Sequence, residues 1–510
     1  MSLFVVLCIF GVKIFIGDNM ANISKSLYCN YVQCKKMLWL KKYKPEEYVD
    51  TMNQSVLDNG NEVGDLARSY FGSYSLVKYN EALIKMIMET KEYLKQNKKV
   101  ICEASFKFDN LFASIDILKI DDDGMSIYEV KSSSELKDIY KDDASFQAYI
   151  LKKLGYKIKS VNVMHVNSKY VLHGELNLEE FFEIEDITDL ARSKEKEIEE
   201  NIKDINEMLD SEKEPVIGVG EQCFKPYPCP FFKYCTKHLP EKNVFDINSM
   251  FMKMNEKLKY YNKGIVSYED LIKENLKERV FDQIDFEINN KEPKINKKEI
   301  KDLMDSLKYP LYFLDYETCQ LVIPKIEGTH PYQQITFQYS LHILDKDGKL
   351  THKEFLADIN DKDFIRKFAE SLIRDIPDNG SVIIYNKSFE PTRNKEIARM
   401  YPEYKEDLDR INSNMVDFMV PFFYHWYYKK EMEGSYSIKY VLPALYPDDP
   451  SLDYHNLDLI HNGGEASASF LEMEDKSKEE VEIIRKSLLK YCELDTYAMV
   501  KIYEKFKEIE

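Results

Sequence analysis

The stretch Ala113-Ser-Ile-Asp-Ile-Leu-Lys-Ile120, Asp121-Asp-Asp-Gly124, Met125-Ser-Ile-Tyr-Glu-Val-Lys131 decides how the first half of the chain folds. Two short β-like runs flank an Asp-Asp-Asp-Gly turn, which predicts a hairpin. A helix pattern follows from Ala144 to Leu154, then a strand-like run from Ser160 to Val166. The order strand, strand, helix, strand is a compact α/β core. A charged helical stretch, Asp189 to Leu209, leads from it into a cysteine-rich segment.

Residues two apart on a strand share a face, so Glu129 and Lys131 project together and Asp116 approaches from the partner strand. Facing carboxylates repel one another unless a cation lies between them, and Mg²⁺ takes one or two carboxylates plus water and phosphate oxygens. A lysine beside that ion orients the attacking water and offsets charge on the phosphate. Glu103 lies upstream in Cys-Glu-Ala-Ser-Phe, and Gln147 and Tyr149 lie on the following helix.

A second α/β unit is expected after the charged segment 281–301. Its strands are Leu311 to Tyr316, Ile335 to Leu344, Leu350 to Ala357 and Val382 to Tyr385; its helices are Asp363 to Arg374 and a terminal one from Lys478 to about Ile509. In Phe313-Leu-Asp-Tyr-Glu-Thr, Asp315 and Glu317 share a strand face. The strand ending at Tyr385 runs into Asn386-Lys-Ser-Phe-Glu390, and Tyr491 and Asp495 are spaced i, i+4 on the terminal helix. Three distant segments thus deliver four acids to one place, where two cations about 3.5 to 4 Å apart can clamp a phosphodiester. Gly434-Ser-Tyr-Ser-Ile-Lys-Tyr-Val-Leu-Pro reads as a substrate-side loop and helix start, or equally as a plain capped helix.

Cys223, Cys229 and Cys235 are bunched in a proline-stiffened loop that suits a metal knuckle. A fourth thiolate is needed, and Cys34 and Cys29 are both available; zinc is one ion that four cysteines hold. Nine cysteines in 510 residues fit a reducing, cytoplasmic compartment better than a secreted disulfide scaffold. The net charge of -18 argues against a protein that coats nucleic acid broadly, so any DNA site must be a local groove. Lys35 to Lys44 is locally basic, although Trp39 within it reads as core; Trp39 and Tyr43 are the aromatics available to stack on bases. The apolar run Leu3 to Ile16 is shorter than the roughly 20 residues that span a bilayer, and no stable membrane association is expected. Met20-Ala-Asn-Ile-Ser-Lys looks like a chain start, which makes 1–19 an upstream extension.

These motifs carry two resemblances. Asp116, Glu129-Val-Lys131 and a helix bearing Gln147 and Tyr149 resemble the RecB-like and Cas4-like branch of the PD-(D/E)xK nucleases. That resemblance implies metal ligation by Asp116 and Glu129, with Glu103 as a further ligand, catalysis by Lys131 and positioning by Gln147. Gly64 stands near the place where many members carry a histidine. Cas4-like nucleases take one cysteine from the start of the domain and three from its end, which implies a 4Fe-4S cluster on Cys34, Cys223, Cys229 and Cys235, with zinc as the alternative. The second set resembles DEDD exonucleases of the RNase H-like fold, implying Asp315, Glu317, Glu390 and Asp495 as metal ligands and Tyr491 as the residue orienting water. Glu390 replaces the usual aspartate, and Asp417 is a reserve acid for that role. The complete order resembles an uncharacterised bacterial family joining both domain types.

The expectation is a two-domain α/β protein: an N-terminal segment 1–19, a restriction-endonuclease-like α/β domain over 20–240, a helical, charged linker over 241–305, and an RNase H-like domain over 306–510. Its expected activity is Mg²⁺- or Mn²⁺-dependent DNA cleavage at single strands or free ends, with 3′ trimming by the second domain, in repair or defence against foreign DNA. The rivals are a catalytically decayed nucleic-acid-binding scaffold and an RNA-processing exonuclease.

Overall fold

The computed structural model describes residues 23–51 and 54–509, apart from the side chains of 54–56 and 455, together with the backbone of 8–9 and 12–13. The rest of the 1–19 segment, with the start proposed at Met20, lies outside the described residues. The chain is mixed α/β and divides into two units, Met1–His238 with Val322–Tyr332, and Leu239–Leu321 with Gln333–Glu510. Among the described residues no helix is long and apolar enough to cross a membrane.

The first unit holds a seven-stranded mixed sheet. Its strands run in the order Ser75–Leu76, Val100–Phe108, Leu111–Asp121, Gly124–Lys131, Ile158–Val166 and Phe182–Asp186, with Ile23–Ser24 pairing onto the start of Leu111–Asp121. The expected hairpin forms in register, Ile117 opposite Tyr128 and Asp121 opposite Gly124. Gly124 has φ +148°, and a Cβ there would stand 2.8 Å from the Lys157 carbonyl, so the tight exit of the turn requires glycine. The helix Asp138–Lys153 lies on the sheet with an unbroken buried run from Asp142 to Leu151, and Phe146 stacks on Tyr28 with ring centroids 4.6 Å apart. Filling that contact matters: Phe146→Ala would cost about 3–5 kcal/mol. The charged stretch 188–209 is two helices, Thr188–Ser193 and Glu195–Leu209. Val322–Tyr332 completes this unit through paired backbone bonds, Leu172 N to Thr329 O and Gly328 N to Leu172 O, both 2.9 Å.

The second unit is built on a five-stranded sheet in the order Leu350–Leu356, Gln334–Leu344, Leu311–Gln320, Val382–Ile384, Met415–Asp417. The first three strands are antiparallel neighbours and the last two run parallel to Leu311–Gln320. Gln334–Leu344 alone runs against the other four strands. The terminal helix Lys478–Ile509 is the longest element, and Leu488, Cys492, Ala498, Met499 and Phe506 are among its buried residues. Residues 241–305, expected as a linker, are helical and count with this unit. Charge masked their core, because Val280 and Ile284 repeat at i, i+4 between acidic and basic neighbours and are fully buried.

Candidate functional site

In the first unit the hairpin register sets Asp116 between Glu103 on one neighbouring strand and Glu129 on the other. Cys102 pairs with Ile117 and Ala104 with Ile115, which brackets Glu103 opposite Asp116. Glu103 itself takes φ +57°, a left-handed kink in mid-strand, and such strain gathers at functional positions. Asp116 accepts the Val130 amide at 2.7 Å. Lys131 Nζ reaches Glu129 Oε1 at 2.6 Å and Asp143 Oδ2 at 2.8 Å. Gln147 Nε2 donates to Glu129 and, at 3.0 Å, to Asp143. Glu129 is 1% exposed, so these contacts replace water.

Three side chains here were not expected. Lys25, at the start of the helix Lys25–Gln33 capped by Ser24, sets its ammonium 3.1 Å from Asp116 Oδ1 and 3.1 Å from Glu129 Oε2. Asp143 lies one helical turn before Gln147. Arg68, one turn beyond Gly64, approaches Glu103 at 3.6 Å. Tyr149 is on the other face of its helix, with Lys153 over its ring at 5.2 Å, and takes no part.

Burial works against every charge in this group, and the pairing decides the outcome. Glu129 is buried beside Asp116, yet Lys131 and Lys25 hold it below the ordinary carboxylate range. Lys131 is raised despite burial by Asp143, Glu129 and Asp116. Glu103 is pushed up to about 7 by burial and then by Asp116. A divalent ion fits this donor set: Gln147 Oε1 is buried without a partner, and the Lys25 ammonium already bridges the two carboxylates as a cation would.

Cys34 separates the helices Lys25–Gln33 and Lys35–Tyr43. Gln33 Nε2 ties that corner to the cysteine loop, donating to Gln222 O and Tyr227 O at 2.8 Å each. Cys223, Cys229 and Cys235 are raised by burial and by neighbouring thiols, Cys34 among them, and Cys229 reaches about 12. Cys29 instead faces Asp143 and Lys131, with Sγ 3.9 Å from Ile139 O, which leaves Cys34 as the thiol facing the loop. Four thiols are a donor set that suits either a structural zinc ion or an iron-sulfur cluster. Trp39 is core, 4% exposed with Nε1 on Ser211 O, and the Tyr43 hydroxyl is spent on Leu209 O.

In the second unit Asp315, Glu317, Glu390 and Asp495 all line one cavity of about 220 Å³ with Tyr491, Lys439, Tyr385 and Phe389. The strand supplies Asp315 and Glu317 and the terminal helix Tyr491 and Asp495. Glu390 opens the helix Glu390–Met400 after Asn386, which has φ +90°. Tyr454 donates to Asp495 Oδ1 at 2.6 Å. Lys439 Nζ sits 5.3 Å over the rings of both Tyr454 and Tyr491 and donates to His461 O at 2.7 Å. It belongs to the segment 434–443, whose helix Ile438–Leu445 supplies both Ile438 and Lys439 to the cavity. Asp417 is no reserve ligand: its carboxylate accepts the amides of Asn386 at 3.1 Å, Lys387 at 2.9 Å and Met419 at 2.9 Å, and so shapes the loop before Glu390.

The excess of negative charge is visible in these acids. Burial, then Asp495 and Glu317, push Asp315 far above the carboxylate range, and burial and Asp495 do the same to Glu317. Burial carries Glu390 to about 8 and Asp495 to about 6. Glu390 Oε2 is buried with no hydrogen-bond partner, and Asp315, Glu317 and Cys492 bring ligand atoms within 4.8 Å of one another. Oxygen-rich, under-compensated and partly unsatisfied, this set fits divalent cations.

Residues 312–437 match a family model described as a domain of unknown function, DUF2779. The chain is 30% identical over 221 residues to Uncharacterized protein MG366 of Mycoplasma genitalium, covering 40% of this chain and 33% of that relative. It is 30% identical over 171 residues to Uncharacterized protein UU173 of Ureaplasma parvum, covering 31% of this chain and 24% of that relative. The chain therefore spans a third or less of the length of these relatives.

Proposed function

We propose that this chain is a metal-dependent DNA nuclease with two hydrolytic centres, one in each unit, and an iron-sulfur cluster on Cys34, Cys223, Cys229 and Cys235. The observation that carries the proposal is the second cavity, where four acids, three of them buried, meet beside Lys439 and a carboxylate oxygen of Glu390 has no hydrogen-bond partner. A structural role would neutralise such acids with arginine, lysine or hydrogen bonds, because uncompensated buried charge costs several kcal/mol.

Divalent ions held by Asp315, Glu317, Glu390 and Asp495 would activate water and steady the leaving oxygen of a phosphodiester. Tyr491 is raised by burial and by Asp495, which favours its neutral hydroxyl, and its proposed role is to orient water. Tyr454 fixes the rotamer of Asp495, and Lys439, clamped by two rings, supplies positive charge to an entering phosphate. This centre is proposed to trim 3′ ends.

In the first centre Asp116 and Glu129 are the proposed ligands, oriented by the Val130 amide and Gln147. Lys131 remains protonated between Glu129 and Asp143 and stabilises charge at the phosphate. The preference for DNA, with single strands or free ends, and a role in repair or defence are part of the same proposal, as is a cytoplasmic site of action.

The test is an assay of the parent, Lys131→Ala and Asp315→Ala on end-labelled single-stranded DNA, duplex DNA and RNA in Mn²⁺. Each variant is expected to lose a different product pattern, Lys131→Ala by about 10²–10³-fold. A parent protein that cuts none of the three substrates would falsify the proposal, and cleavage confined to RNA would correct its substrate.

A further inference from the structure

We propose that His342, His352 and Glu493 form a separate site for a borderline transition-metal cation of the Zn²⁺ type, sharing no residue with the carboxylate cavity. The two histidines are directly opposite each other on the antiparallel strands Gln334–Leu344 and Leu350–Leu356, with ring centroids 4.5 Å apart. Glu493 comes from the terminal helix. One ligand atom from each of the three lies within 4.8 Å of the other two.

The hydrogen bonds around them fix which nitrogens are bare. Thr496 donates its hydroxyl to Glu493 O at 3.1 Å, which leaves Thr496 Oγ1 to accept from His342 Nδ1 at 2.8 Å and from Ser340 Oγ at 2.7 Å. With its proton on Thr496, the Ser340 hydroxyl accepts from His352 Nε2 at 2.8 Å. His342 is therefore protonated on Nδ1 and His352 on Nε2, so the lone pairs of His342 Nε2 and His352 Nδ1 are unused. His352 Nδ1 lies 3.9 Å from Glu493 Oε1, another acceptor. Burial and the neighbouring His352 ring push His342 down to about 4, which keeps it neutral.

Each imidazole thus keeps one bare nitrogen and has its other nitrogen fixed by a hydroxyl, an outer-shell arrangement of the kind that orients metal-bound histidine. Two imidazoles and a carboxylate suit Zn²⁺ with an open fourth position, whereas Mg²⁺ prefers oxygen throughout. Glu493 is half exposed and gives the ion a way in. Filled, the site would pin the Gln334–Leu356 hairpin to the helix that carries Tyr491 and Asp495.

Titration of the metal-stripped, full-length protein with Co²⁺ tests this, because nitrogen and oxygen ligands give visible d–d absorption without the charge-transfer bands of thiolate sites. Glu493→Gln and His352→Gln are each expected to lose one equivalent of bound Co²⁺ and the matching d–d absorption, with thiolate bands unchanged. Thr496→Val, which removes only the outer-shell partner, should weaken that equivalent by about 10–100-fold. Glu493 is half exposed and its amide keeps the fold, so retention of every Co²⁺ equivalent and an unaltered spectrum in both ligand variants would overturn the assignment.

Discussion

The Lys25 ammonium stands 3.1 Å from Oδ1 of Asp116, in the space a divalent ion would use to bridge that carboxylate to Glu129. Metal and lysine compete for one position. Lys25→Met should therefore tighten Mn²⁺ binding at the first centre by at least about tenfold, since displacing a cation that close to carboxylates costs more than about 1.4 kcal/mol. The measurement is calorimetric titration in an Asp315→Ala background, which silences the second centre. Unchanged or weaker Mn²⁺ binding would rule out the competition.

Proton competition should govern the second cavity. Glu390 is raised to about 8 and Asp495 to about 6, and Asp315 and Glu317 are pushed up as well, so Mn²⁺ must displace protons to enter, fewer of them as pH rises. Affinity should therefore climb as pH rises through 6 and 8. The metal-free protein should show the opposite trend in stability: raised folded-state values favour the fold below the ordinary 4.5 and 3.8 of these acids, and that contribution is lost as pH rises through 6 and 8. Mn²⁺ titrations in buffers of different ionisation enthalpy count the protons released, and a pH-independent affinity would contradict the assignment.

Cys34 and Cys29 should behave differently although they share one short stretch. Cys34→Ser is expected to abolish bound iron in anaerobically purified protein, whereas Cys29→Ser should retain it, because Cys29 lies against Asp143 and Lys131. Iron and zinc analysis reads this directly. Stoichiometric zinc in a colourless parent would replace the iron-sulfur cluster with a zinc site.

Asp417→Ala should unfold the approach to Glu390 without removing a ligand. Three backbone amides lose a charged acceptor, a loss of about 2–3 kcal/mol. Thermal melting should show that destabilisation, and 3′ trimming should fall while cutting by the first centre persists. A variant as stable and as active as the parent would leave the loop's geometry with another cause.

Much of both sites follows from local periodicity. Asp116, Glu129 and Lys131 are legible because alternation along a hairpin fixes which side chains share a face, and Tyr491 and Asp495 because a helix repeats at four. The same periodicity could have found Asp143, one turn before Gln147, and excluded Tyr149, which two residues of helix turn away. Lys25, Arg68, Lys439 and Tyr454 leave no such trace: each reaches its acid from a segment far along the chain, and only tertiary packing brings it there. Asp417 misled for a related reason, since composition does not say whether a carboxylate meets a metal or backbone amides. The segment 241–305 was obscured by its charges, which occupy the exposed faces of helices whose apolar sides are buried.

The chain leaves the second unit after Leu321, contributes Val322–Tyr332 to the first and re-enters the second at Gln333. A fragment ending near His238 would therefore lack the segment that bonds the Leu172 backbone, and its remainder would carry eleven displaced residues between the strand bearing Asp315 and the next. No single scissile point separates the halves intact. Dissecting their activities calls for point substitutions within the whole polypeptide, and evolution faces the same restriction: either half can be shuffled into a new protein only if this borrowed loop is first replaced.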